Sequence, residues 1–217
     1  IIGCLNILRE SKNLVAKEDS QVIDRALFSA DKSISIIDRL LTFACCQKLS
    51  PELVDVNDLI EGLYEVICFT SDKNIDITLD LSTHADFAFI DPGQLEACII
   101  NLCINSMNAI EHKGEIVIKT SLTKSSMNDN EVLKISITDN GHGIARNIQQ
   151  RIFEPFFTTR RSSGGGGLGL HIAYNLVTNK LNGTIEYGST LGQGTWFNIL
   201  LFDLKDKKLG ATSPQVE

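Results

Sequence analysis

The stretch over residues 95–110 restricts this chain more than any other. Apolar side chains (Leu95, Cys98, Ile99, Leu102, Cys103) surround asparagines at positions 101, 105 and 108. Spacings of four and three put Asn101, Asn105 and Asn108 on one side of an α-helix. The apolar majority predicts that this helix is largely buried. A carboxamide buried without a partner is costly, so the asparagines must meet something polar. Upstream, Asp91 reads as the N-cap, Pro92 suits the first helical position, and Gln94 completes a capping box.

On either side of this helix the hydrophobic period changes to two. Residues 75–81 alternate strictly and read as a half-buried strand; 87–90 form a short second one. Further strands are expected over 115–120, 131–138, 183–187 and 194–202. In the fourth, Leu133, Ile135 and Ile137 point one way and Lys134, Ser136 and Thr138 the other. Helices are expected from an Asn57 cap to about residue 69, and over 168–181. Residues 125–130 and 191–193 are turns, and 139–166 is rich in loop. The fold class predicted is α/β: helices on one face of a mixed, mostly antiparallel sheet, in a two-layer sandwich.

The first fifty residues differ. Ile23, Leu27, Ala30, Ile34, Ile37, Leu41 and Ala44 step by four and three, a heptad seam. With a shorter helix over 1–16 and a turn at Asp19-Ser20, they predict a helical hairpin that ends before Pro51. The seam is satisfied by a second copy in a four-helix dimer, or, more plainly, by the chain's own second domain. The expected organisation is a hairpin over 1–50, a second domain over 54–203 and a charged, loose tail over 204–217.

A net charge of −7 argues against a nucleic-acid partner. No apolar run is long enough to cross a bilayer and no signal peptide is visible. The chain starts at Ile1, so it is expected to be a piece of a longer cytoplasmic protein, with a membrane anchor left open elsewhere. The six cysteines show no metal-ligand spacing and read as small buried hydrophobes in a reducing compartment.

Three loops follow the asparagine helix. Asp139 ends a strand and opens Asp139-Asn140-Gly141-His142-Gly143. A carboxylate only accepts hydrogen bonds, so it suits the exocyclic amine of adenine and rejects guanine, while the glycines admit a flat base. Alone this is an ordinary turn. Residues 163–170 run through four glycines into a helix, freeing amides for phosphate oxygens; alone such a run is a linker. Between them, Phe153-Glu154-Pro155-Phe156-Phe157-Thr158-Thr159-Arg160 could pin a lid with its aromatics and bring Arg160 to a terminal phosphate. Its plainer reading is a hydrophobic turn.

In this order and spacing the residues resemble the ATP-binding domain of sensor histidine kinases, within the superfamily of gyrase, the Hsp90 chaperones and MutL. The likeness covers residues 54–202 and is nearest to hybrid or NtrB-like kinases. Asn101 and Asn105 match the asparagine box, Asp139 to Gly143 the first glycine box, Phe153 to Phe157 the phenylalanine box, and Gly165 to Gly169 the second glycine box. The resemblance implies a Bergerat-type ATP-binding fold. It places Mg²⁺ on Asn105, the adenine amine on Asp139, and the phosphates on Gly167, Leu168 and Gly169. Asn101 and Arg160 would be catalytic. Asn108, Gly141, Gly143, Ile144, Phe153, Phe156, Thr159, Gly165, Gly166, Leu170 and Thr195 would complete the ATP site.

The implied activity is transfer of the ATP γ-phosphoryl to a histidine, for relay to an aspartate of a response-regulator receiver domain. A homodimer through the N-terminal helices is the implied assembly. The sequence departs from the family in two places. The hairpin resembles the dimerisation and phosphotransfer hairpin but holds none of the histidines 84, 112, 142 and 171; the expectation is that the chain begins after the acceptor. Gly166 stands where the family has Thr or Ser, removing about one hydrogen bond to phosphate. The superfamily's ATPases carry a glutamate base where Asn101 stands, and an amide cannot take a proton from water. The competing reading is a phosphotransfer or scaffold module with a degenerate nucleotide site.

Overall fold

The structure is a computed structural model that describes residues 49–71, 74–83, 87–124, 131–160, 166–202 and 204–205. The predicted hairpin, with its heptad seam, lies outside the described residues. The chain divides into two compact units, one of Ile1–Gln47 with Thr158–Gly166, the other of Lys48–Phe157 with Gly167–Glu217. The second unit carries the regular structure described below.

It opens with β1 (Glu52–Asp55) and α1 (Val56–Thr70). Asp55, not Asn57, is the cap: its carboxylate accepts from the backbone N–H of Asn57 at 3.1 Å and of Asp58 at 3.3 Å. Asn57 lies inside the first turn and is used elsewhere. Its Nδ2 donates to the Ser82 carbonyl at 2.8 Å, and its Oδ1 accepts from Thr120 Oγ1 at 2.8 Å. A residue that could have capped the helix instead satisfies a threonine that is only 1% exposed.

After β2 (Ile75–Asp80) and β3 (Phe87–Ile90) comes α2 (Pro92–Ala109), the asparagine helix. Asp91 caps it as expected, accepting from the Gln94 N–H at 3.2 Å, with Pro92 in the first turn. The chain continues through β4 (Gly114–Lys124), β5 (Glu131–Asp139), a 3₁₀ turn at Gln149–Arg151, α3 (Gly169–Asn179), β6 (Thr184–Thr190), β7 (Gly194–Leu201) and β8 (Leu204–Lys205).

Five strands form one sheet in the order β2-β4-β5-β7-β6, in which β2 and β4 are parallel and the other pairs antiparallel. This is the mixed, mostly antiparallel sheet of the expected α/β class. A smaller antiparallel sheet, β1-β3-β8, is an addition. Its short outer strands carried no sequence signal, and Leu204–Lys205, assigned to the loose tail, pair with Phe87 and Ala88.

Register aligns the apolar face across strands. Ile118, Ile137, Phe197 and Tyr187 form one row; Thr120, Ile135, Ile199 and Ile185 form another. The opposite face carries Lys119, Ser136, Asn198 and Glu186. Helix α2 packs on β4, β5 and β7 and against both α1 and α3. Its Leu95, Cys98, Ile99, Leu102 and Cys103 are buried. Burial raises both thiols far from ionisation, Cys103 to about 12, which leaves them acting as small hydrophobes. No helix among the described residues is long and apolar enough to cross a membrane.

Candidate functional site

The next row of the sheet is Ile116, Asp139, Thr195 and Ser189. The alternation that buries Ile135 and Ile137 therefore buries Asp139, which is 3% exposed. A buried carboxylate needs donors, and Asp139 has three. Its Oδ1 accepts from the N–H of Gly141 at 2.9 Å and of Thr195 at 3.2 Å; its Oδ2 accepts from Ser106 Oγ at 3.0 Å. Burial pushes its pKa up, and these donors, with His142 nearby, pull it back without cancelling the rise. A carboxylate has roughly four acceptor positions, so one is left for a ligand N–H.

The loop after Asp139 is clamped from two sides. The N–H of His142 donates to the last carbonyl of α2, Ala109, at 2.9 Å, and its own carbonyl accepts from Gly192 N–H at 2.8 Å. Gly143 has φ 68°, and a Cβ there would stand 2.2 Å from the Thr190 carbonyl oxygen. Gly194 has φ 109°, and its Cβ would stand 2.0 Å from the Asp139 carbonyl oxygen. Only glycine fits such approaches. Ile144 donates its N–H to Ser189 Oγ at 2.7 Å. Ser189 Oγ also donates to the Gly194 carbonyl at 3.0 Å and meets Thr195 Oγ1 at 2.9 Å. Gln149 Nε2 closes the loop onto the Ile144 carbonyl at 2.9 Å.

Helix α2 is buried on one face only. Asn101 and Asn105 are half-buried and Asn108 is exposed, so the asparagine side is less buried than expected. Asn101 satisfies part of its need within its own helix, donating Nδ2 to the Ala97 carbonyl at 2.7 Å. Its Oδ1 lies 3.4 Å from where a Cβ on Gly169 would stand, so it faces the start of α3. Asn105 makes no side-chain hydrogen bond to another described residue. Helix α3 starts from Leu168, which is buried, and no side chain caps its first turn. The first amides of a helix have no partner within it. Leu170 packs at the edge of the core.

The phenylalanine segment divides by function. Phe153 packs its ring on Tyr174 at 5.0 Å and edge-on to Tyr187 at 5.5 Å, and its carbonyl accepts from His171 Nδ1 at 2.9 Å. These contacts anchor the segment to α3 and β6. Phe156 is 62% exposed with φ 63°, and Gly167, at φ 65°, sets its backbone against Phe156 and Phe157. Thr159, Arg160 and Gly166 belong to the other unit, where Arg160 N–H donates to Thr158 Oγ1 at 3.0 Å. Gly165 lies outside the described residues.

Three polar side chains around Asp139 and its loop were not singled out from the sequence: Ser106, Ser189 and Gln149. Ser106 carried a signal, a serine at a core-facing helical position beside Asn105. Ser189 and Gln149 carried none, because their partners are distant in sequence.

The unit is thus a two-layer α/β fold with a buried strand-end aspartate bonded to an asparagine helix and a helix start that no side chain caps. The family model for the histidine kinase-, DNA gyrase B-, and HSP90-like ATPase matches residues 90–206. The chain belongs to this family. Over 86% of its length it is 29% identical to the sensor kinase CckA of Brucella abortus, of which it covers 20%. It is 26% identical to ShkA, whose full-length crystal structure in complex with AMPPNP matches with a TM-score of 0.73 over 95% of this chain and 43% of that one. The histidine kinase ThkA, crystallised in complex with the response regulator protein TrrA, shares the fold at 21% identity. Its TM-score is 0.66 over 93% of this chain and 56% of ThkA. The chain thus spans about a fifth of the curated relative and under two thirds of either solved structure.

Proposed function

We propose that the second unit is the ATP-binding catalytic portion of a sensor histidine kinase. The observation that carries this reading is Asp139, a buried carboxylate at the end of β5 that meets three donors, one of them Ser106 of the asparagine helix, and keeps one acceptor position. That acceptor suits the adenine amine and repels the guanine carbonyl. Asn105, whose carboxamide lacks a partner among the described residues, would hold Mg²⁺; an amide oxygen is a suitable ligand for a hard cation. The bare amides at the start of α3 suit phosphate oxygens. Mg²⁺ would supply charge neutralisation on the phosphates when bound.

The chain's own residues then position rather than activate. Asn101 faces the start of α3, where the superfamily's ATPases have a base, and its amide cannot accept a proton from water. The γ-phosphoryl is therefore saved for a histidine outside this unit. From the histidine it would pass to a receiver-domain aspartate, a reading supported by the ThkA–TrrA complex. Homodimerisation through residues 1–50 belongs to the same proposal. A scaffold with a degenerate site is the weaker reading, because the Asp139 network and the asparagines of α2 are in place.

Titration of the purified chain with ATP and GTP, with and without Mg²⁺, tests the binding. Preference for ATP and its dependence on Mg²⁺ are expected. Phosphate release in steady state should be slow, and turnover at the rate of a dedicated ATPase would overturn the kinase reading.

A further inference from the structure

We propose that Ser106 is a positioning residue for the base-recognition carboxylate, holding Asp139 Oδ2 so that its remaining acceptor position faces the base. This rests on the reading of Asp139 as the adenine acceptor.

Ser106 is 0% exposed, on the core side of α2. A serine inside a helix ordinarily bonds back to the carbonyl four residues earlier. Ser106 instead reaches out of its helix to Asp139 Oδ2 at 3.0 Å. The other two donors to Asp139 are backbone amides, of Gly141 and Thr195, and both go to Oδ1. Main-chain amides are supplied whatever the residue. Oδ2, the oxygen with room for a ligand, is held by one side chain alone. Position 106 is therefore where the sequence sets how this carboxylate is aimed.

The same hydroxyl favours the ionised form of Asp139. Burial works against that form, while the two amides, Ser106 and the charge of His142 support it. Of the elements packed around Asp139, α2 offers Ser106, β4 Ile116, β7 Thr195 and β6 Ser189; His142 on the loop is the one titratable group among the described residues that acts on it. Adenine needs an acceptor, so protonation of Asp139 removes its recognition. Losing a donor to the anion raises the pH at which that happens.

Ser106 also follows Asn105 directly. The helix that presents the proposed Mg²⁺ ligand also sets the carboxylate at the base end, one residue on. The two ends of the nucleotide are thereby referred to one rigid element.

The test is calorimetric titration of the full chain with ATP and with GTP from pH 5 to 8, for the wild type, Ser106→Ala and Ser106→Cys. The wild type should prefer ATP, and Asp139→Asn should lose that preference; failure of either overturns the Asp139 reading and this inference with it. With both met, Ser106→Ala should move the acid limb of ATP binding up by roughly one pH unit, the effect of one hydrogen bond to a charged group. It should also narrow the ratio of ATP to GTP affinity. Ser106→Cys, near in shape but a weak donor, should fall between. An acid limb and ATP/GTP ratio unchanged in both variants would overturn the inference. So would a uniform loss of affinity at every pH, which is the mark of a merely structural serine. If the alanine variant does not fold, the cysteine variant decides by the same two readouts.

Discussion

Two regions of this unit, the surroundings of Asp139 and the start of α3, are built on opposite principles. At the Asp139 end the protein satisfies its own polar groups. Donors from α2, the loop and β7 converge on one carboxylate, and backbones approach so closely that two glycines with positive φ are required. At the α3 end the polar groups are left open. Leu168 gives no cap, Asn105 has no partner among the described residues, and Gly169 has room for a side chain beyond ordinary contact with Asn101. Selecting a base requires a fixed acceptor, and rigidity serves that. Holding a multiply charged phosphate chain requires unspent donors and ligands, and a closed network there would have none to give.

Substitutions can break or sharpen this contrast. The largest effect is expected from Gly194→Ala. Its φ of 109° and the 2.0 Å approach to the Asp139 carbonyl leave no place for a methyl group. A loss on the order of 3 kcal/mol, or about 10 °C in Tm, should appear in thermal unfolding. Asp139→Asn comes next, with ATP affinity down roughly 10- to 100-fold in calorimetric titration, the strength of one hydrogen bond to a charged group.

The same variant exposes a pH effect of definite sign. Because the folded-state pKa of Asp139 lies above the ordinary 3.8, its ionised form costs the unliganded fold stability. As pH falls from the raised value toward 3.8, the wild type should gain stability relative to Asp139→Asn while losing ATP affinity. Urea unfolding and titration over that window check both.

At the open end, effects should be smaller and confined to binding. Asn105→Ala should abolish the Mg²⁺ dependence of ATP affinity while stability stays within roughly 0.5 kcal/mol, since no described partner is lost. Gly169→Ala should be the mildest, with Tm unchanged or slightly higher and ATP affinity lowered by less than about fivefold. If Gly169→Ala instead unfolds the chain, the start of α3 is packed as tightly as the Asp139 loop, and the contrast fails.

Much of the fold was legible because it is local. The period-two strands, the Asp91-Pro92 helix start and the buried face of Leu95, Cys98, Ile99 and Leu102 follow from side-chain period and turn chemistry within a few residues. The site motifs were legible for the same reason: asparagines at helical spacing, a glycine loop after a strand, a glycine run before a helix. Asp55 was missed because two polar residues, two positions apart, could each cap α1, and only the contacts with Ser82 and Thr120 drew Asn57 away. The strands β1 and β8 were missed because neither has a pattern without β3 between them.

The sequence by itself determined the class of fold, the order of the motifs and the kinds of group each could offer. Tertiary structure alone decided that Asp139 shares a row with Ile116 and Thr195, that Ser106 meets it across the gap from α2, and that Asn101 turns to its own helix while Asn105 stays open. The reason is the range of the forces. Backbone propensity and side-chain period act over a turn or a few strand residues. Burial of a charge, and the donors it then demands, depends on which strands and helices pack together, here positions 33 and 56 residues apart along the chain.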